Sequence, residues 1–268
     1  MLERIQARNG VVYYSSPLLK MAGIPHAFST RLGGVSEGPF DSLNLGNPSG
    51  CEKQDSRSHI ETNYERLQEA SGSAGRERCW VHQVHQSTTV CVESEQPHDG
   101  DLKADALVTK DMMRVLSIRT ADCVPVLLGT ADGKAVAAIH SGWRGVISGV
   151  VPEALHKLRS ISVPGVPVFA AIGPCIGPEE FEVGEEVLVE FSHLFGAVAP
   201  VRTSPKNSEK GYVDLRTAIQ LQLRFSGIYP ERIDSCDCCT VRMEREFFSH
   251  RRDQNVTGRM AALIATAA

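Results

Sequence analysis

The chain has 268 residues, 42% hydrophobic and 22% charged, enough to bury a large core. Its net charge is −4 and no basic block occurs, which excludes the electrostatic footprint of a nucleic-acid binder. No run approaches the ~18 apolar residues of a membrane helix, and the N-terminus lacks a basic segment followed by an apolar one, so a cytoplasmic protein whose eight cysteines are free thiols is expected.

Residues 29–50, dense in Gly, Ser, Asn and Pro, read as an extended surface loop, and a loop of that length is usually functional. A helix follows, capped by Asp55 or Ser56, with Ile60, Tyr64 and Leu67 as its apolar stripe. Residues 80–92 are β-branched and aromatic at their flanks and read as strand or strand–turn–strand. Short Val/Ile/Leu-rich strands are predicted at 105–109, 113–120, 123–130 and 134–142, the last two joined by the turn Ala131-Asp132-Gly133-Lys134. A helix over 144–160 carries Pro152 awkwardly in its interior. A strand at 167–174, amphipathic helices at 182–195 and 214–228, and a closing strand at 256–267 complete the chain. Strands in hairpins come first and helices are interspersed later. The expected fold is therefore α+β, one domain over 1–268 with mixed β-sheets flanked by helices.

Three stretches carry metal-competent side chains. These are "HQVHQ" with His82 and His85, "RTADCVPVLL" with Cys123, and "AAIHSGWRG" with His140. The Asp-Gly turn pairs the beginning of one strand with the end of the next, so Cys123 and His140 should meet in space. On a strand His82 and His85 point to opposite sides, so at most one of them faces a given site. Two histidines and one cysteine form the donor set of a catalytic zinc with an open fourth position, and thiolate with imidazole also suits copper. A Cys–His nucleophile–base dyad looks the same from sequence.

Other clusters carry less. Cys236-Asp237-Cys238-Cys239 has no second pair at zinc-knuckle spacing and reads as structural. His59 and Glu61 match half of a zinc deaminase signature, but the P-C-x-x-C half is missing, which leaves them on the exposed side of a helix. His250, Arg251 and Arg252 in "FFSHRRD" offer either a phosphate contact or a solvated charged turn, and the turn is the favoured reading.

The segments "FSTRLGGVSEGPFDSLNLG", "HQVHQ", "ADALVT", "ADCVPVLL", "IHSGWRG", "AIGPCIGPEEFEVGEEV", "DLR" and "FFSHRR", with "GRM" beyond, occur in this order. Together they resemble the laccase-domain family, also called multicopper polyphenol oxidases or peptidoglycan editing factors, over residues 26–265. The resemblance implies a cysteine-hydrolase-type α+β fold and a zinc site of His85, Cys123 and His140, with His82 left to structural packing. It implies phosphorolysis of adenosine, inosine and methylthioadenosine, with adenosine deamination as a companion activity. The family's alternative activities are amide hydrolysis in peptidoglycan-precursor editing and copper-dependent phenol oxidation. Nine histidines without a single His-x-His pair speak against a coupled copper cluster, while a single bound copper stays compatible. For a small nucleoside and phosphate, the candidate contacts are Arg31 and Asn44 in the Gly-rich loop, Arg144 after His140, and Gln83 beside His85. No nucleic-acid or membrane partner is expected.

Overall fold

The computed structural model describes every residue except 49, 94–99, 206, 208 and 255. Two six-stranded mixed sheets form its centre. The first has the order β1 (Glu3–Gln6), β2 (Val12–Ser15), β3 (His26–Ser29), β15 (Met260–Ile264), β7 (Arg114–Thr120), β4 (Glu77–Cys79). The second has the order β14 (Ile233–Ser235), β10 (Val168–Ile172), β8 (Val124–Thr130), β9 (Val136–Ser141), β6 (Ala106–Thr109), β5 (Thr89–Val92). A small third sheet joins β11 (Glu182–Gly184), β13 (Lys210–Val213) and β12 (Val201–Thr203).

Side-chain alternation explains the layering. On β7, β8, β9 and β15, Leu116, Ile118, Leu127, Val136, Ala138, Met260, Ala262 and Ile264 fill the space between the two large sheets. The alternate residues Val124, Val126, Leu128, Ala137 and Ile139 face helices on the far side of the second sheet. Those helices are α4 (Val150–Ile161), α5 (Glu185–Phe195) and α6 (Leu215–Phe225). Ala261, Leu263 and Val115 face the other way, toward Tyr64 and Leu67 of α2 (Arg57–Ser71). Each fully buried leucine or isoleucine here contributes about 2 kcal/mol. Shorter helices α1 (Pro17–Met21), α3 (Trp143–Ser148) and α7 (His250–Asp253) sit at sheet ends. Among the described residues no helix is long and apolar enough to cross a membrane.

The predicted strands and the β8–β9 hairpin form as expected, with Pro125 opposite His140. Ser56 caps α2 by accepting from the His59 N–H. Four expectations change. The helix predicted over 144–160 breaks at Gly149, whose φ of 78° only glycine adopts easily; Pro152 then falls in the first turn of α4, where its missing N–H is harmless. The start of the 182–195 helix is strand β11, paired with β13. The 29–50 segment is only partly a surface loop: Phe40, Leu43 and Leu45 are buried, the two leucines against the first sheet, while Val35, Glu37, Gly38 and Asp41 are exposed. Residues 80–88 are not a strand apart from a bridge between His82 and Lys103.

The connectivity places two chemistry-bearing segments at one mouth of the sheet pair. Residues 80–88 pass from β4 in the first sheet to β5 in the second, and residues 121–123 pass from β7 to β8. His85 and Cys123 ride on these crossings, and His140 closes β9 beside them.

Candidate metal centre

One imidazole nitrogen each of His85 and His140 and the sulfur of Cys123 lie within 4.8 Å of one another. Cys123 Sγ is 3.9 Å from His85 Nε2, and the two imidazoles meet edge to face at 4.9 Å. Among the described residues this is the one cluster of three metal-competent side chains.

Asp105, the fully buried residue ahead of β6, organises the cluster. Its carboxylate accepts from the backbone N–H groups of Val84 (3.1 Å), His85 (2.9 Å) and Gln86 (2.7 Å). The same carboxylate accepts from His140 Nδ1 at 2.8 Å, which leaves Nε2 of that ring for the centre. Three N–H bonds to one carboxylate hold the 84–86 turn, where His85 takes the left-handed φ of 60°. Asp105 thus sets one ligand's orientation and the other's backbone. Sequence reasoning overlooked it, although it stands inside "ADALVT".

The Cys123 crossing is tied down separately. Asp122, at φ 89°, accepts from Thr240 Oγ1 at 2.6 Å and from the Arg251 N–H at 2.7 Å. Gly142 leaves room for the centre: a Cβ there would lie 3.0 Å from both Cys123 Sγ and His85 Cδ2. Gly142→Ala, whose φ of −75° suits alanine, is expected to weaken metal binding at this cluster about tenfold with no loss of fold, read by competition with a chelator. Unchanged metal affinity would show that the three side chains need no such clearance.

The electrostatics suit ionised ligands. Burial raises the Cys123 thiol, but the His140 and His85 imidazoles outweigh it and bring it down to about 6. Burial opposes charge on His140, while Cys123 and Asp105 raise it to about 9. Burial also works against the Asp105 carboxylate, and His140 with the Gln86 and His85 N–H groups holds it below the usual carboxylate range. Two imidazoles and a thiolate with an open side fit zinc.

The centre opens into a cavity of about 430 Å³, walled further by Asn47, His82, Gln83, Arg119, His250 and Arg259. His82 is a correction: it is exposed on this wall and not packed away, because strand alternation does not apply to a segment that is not a strand. His250 also faces the cavity, so "FFSHRR" is more than a solvated turn. Of the four expected substrate contacts only Gln83 lines the cavity, and its amide spans the Arg119 backbone, donating to the carbonyl at 2.7 Å and accepting from the N–H at 2.8 Å. Arg31 lies elsewhere, donating to the Asp41 and Glu244 carbonyls beside Arg245 and Arg252. Asn44 is fully buried; its oxygen accepts from the Gly46 and Arg259 N–H groups and its nitrogen donates to Asp55. Arg144 is exposed on α3 and stacks on Trp143.

Two packed mixed sheets with flanking helices, and a His/Cys/His cluster on their crossings, define a mixed α/β protein with a candidate metal centre at the sheet mouth. The chain belongs to the family described as multi-copper polyphenol oxidoreductase laccase, whose model matches residues 25–267. It is 37% identical over 242 residues to purine nucleoside phosphorylase YfiH of Escherichia coli, covering 90% of this chain and 93% of that protein. Purine nucleoside phosphorylase Rv2149c of Mycobacterium tuberculosis is 38% identical over 237 residues, covering 88% and 89%. Among solved structures, YlmD from Geobacillus stearothermophilus superposes with a TM-score of 0.86 at 28% identity over 99% of both chains. Neisseria meningitidis protein NMB0706 gives a TM-score of 0.81 at 32% identity over 96% of this chain and 99% of its own.

Proposed function

We propose that the protein is a zinc-dependent purine nucleoside phosphorylase acting on adenosine, inosine and methylthioadenosine, with adenosine deamination as a side activity. The observation that carries this reading is the His85/Cys123/His140 cluster opening on a cavity large enough for a nucleoside, in a chain similar to phosphorylases over nine-tenths of its length. Zinc held by those three side chains would supply Lewis-acid polarisation of a substrate or water oxygen. The chain's own groups do the rest. His140, oriented by Asp105, and the 84–86 turn present a preformed site that needs no reorganisation on binding. His82 and His250 stand on the wall as imidazoles able to pass a proton to the departing purine nitrogen. In phosphorolysis a phosphate oxygen bonds to ribose C1′, the C1′–N9 bond breaks, and its electron pair leaves with the protonated base. Chromatography of adenosine and inosine incubated with and without phosphate tests the reading.

One observation favours a second reading. A thiol brought down to about 6 beside a protonated His140 resembles an activated nucleophile, which suits a cysteine amidohydrolase acting on peptidoglycan precursors. Metal-free protein is expected to be alkylated at Cys123 with a midpoint near pH 6, since a lowered pKa leaves the thiolate populated above that pH; zinc should block the reaction. Rapid stoichiometric alkylation of zinc-loaded protein would favour the hydrolase. Copper oxidation of phenols finds no second three-residue ligand set among the described residues.

A further inference from the structure

Sheet register puts two arginines side by side on the cavity wall. Arg119 of β7 pairs with Ala261 of β15, and Arg259 stands two residues before Ala261. Residues two apart share a face, so both side chains leave the same face of the sheet as diagonal neighbours, within reach of one another. Burial and the Arg119 guanidinium lower the Arg259 pKa, against the opposing pull of Asp122 and Cys123. Two half-buried like charges at this spacing repel, and the arrangement becomes favourable when an anion sits between them.

Apart from the Cys123 thiolate of the centre itself, the described cavity lining supplies no such anion. Among the described residues neither arginine has an ion-pair partner. The Arg119 side chain has no hydrogen bond among them, and Arg259 Nη1 reaches only the Thr257 (3.1 Å) and Gly258 (3.0 Å) carbonyls. Among the described residues no Asp or Glu lines the cavity, whose other polar wall groups are imidazoles, amides, a threonine and the Cys123 thiol. The Asp122 carboxylate is already committed to Thr240 and the Arg251 N–H.

The pair is also held in place. A Cβ on Gly46 would lie 2.7 Å from Arg119 Cδ and 2.9 Å from its Nη1, so the loop backbone lies directly on that side chain. The buried Asn44 oxygen accepts from Gly46 N–H at 3.2 Å and Arg259 N–H at 2.9 Å. One amide therefore locks the loop over Arg119 to the strand end that carries Arg259. Asn44, fully buried and outside the cavity lining, therefore braces the wall.

We propose that Arg119 and Arg259 form an anion subsite that holds inorganic phosphate beside the His85/Cys123/His140 centre. Guanidinium forks match phosphate geometry and form charge-assisted hydrogen bonds. The site's catalytic meaning, delivery of the attacking phosphate, rests on the phosphorylase reading; the binding itself does not.

The test is calorimetric titration of sodium phosphate, at constant ionic strength and without nucleoside, into zinc-loaded protein. Wild type, Arg119→Met, Arg259→Met and Gly46→Ala are compared. Gly46→Ala keeps both arginines and displaces one of them, which separates subsite loss from misfolding. The expected result is phosphate binding in wild type, weakened about tenfold or more in each variant, with unchanged circular dichroism and zinc content. No binding by wild type up to about 10 mM phosphate would overturn the proposal, as would variants with unaltered affinity. Adenosine 5′-monophosphate titrated in parallel distinguishes a free anion from an ester. Tighter nucleotide binding lost in the same variants would overturn the assignment to inorganic phosphate. Phosphate bound at the pair with no base released from any nucleoside keeps the subsite and rejects phosphorolysis. Base release with an unchanged phosphate KM in the variants does the reverse.

Discussion

Asp105→Ala is expected to empty the metal centre and lower folding stability by about 3 kcal/mol. The carboxylate is fully buried and accepts four hydrogen bonds, three from consecutive backbone N–H groups and one from His140. Its removal leaves a buried imidazole without its orienting partner and frees the turn that presents His85. Both effects act on ligands, so zinc affinity should fall further than stability alone would require. Asp105→Asn keeps the volume and part of the hydrogen bonding while removing the charge. Its zinc affinity should drop by about 10–100-fold with a smaller stability change. Thermal denaturation with metal analysis on both variants checks this. Wild-type zinc content in Asp105→Ala would show that the turn is held by something other than this carboxylate.

Cys123→Ala is expected to remove zinc and reduce nucleoside cleavage by about 10³-fold or more, while the fold survives. The residue precedes β8, is only partly exposed, and touches the His85 imidazole at 3.9 Å and the His140 imidazole rather than the apolar core, so little packing depends on it. Loss of the thiolate also removes one of the two groups that raise His140, leaving Asp105, so the pKa of His140 should fall and its proton would be lost at lower pH. Histidine NMR titration of metal-free wild type and variant reads that shift without any catalytic assay. A variant retaining most of its turnover would mean that the centre is structural.

Much of the centre was legible in the sequence. The Asp-Gly turn fixes the β8–β9 register, and that register alone brings Cys123 to His140. His85 needed the family motif, because its place depends on a crossing between two sheets that no local pattern reveals. Local propensity misled at residues 80–88: β-branched flanks suggested a strand, but Asp105 captures the middle as a turn and puts His82 and His85 on one cavity. Gly/Asn density in 29–50 suggested an exposed loop with ligand contacts, whereas Leu43 and Leu45 anchor it and Asn44 serves as an internal bracket. Arg119 and Arg259 are far apart in sequence, and only the β7–β15 pairing makes them neighbours. Long-range sheet pairing, which sequence periodicity does not encode, accounts for most of what was missed.

The most direct measurement is nucleoside turnover by purified protein of known zinc content. Adenosine and inosine are incubated with and without phosphate, with Cys123→Ala run alongside, and adenine, hypoxanthine and inosine are followed by chromatography. The expected result is phosphate-dependent release of adenine and hypoxanthine, lost together with zinc in the variant. No turnover of either nucleoside by protein with a full zinc site would contradict phosphorolysis and direct attention to the amidohydrolase.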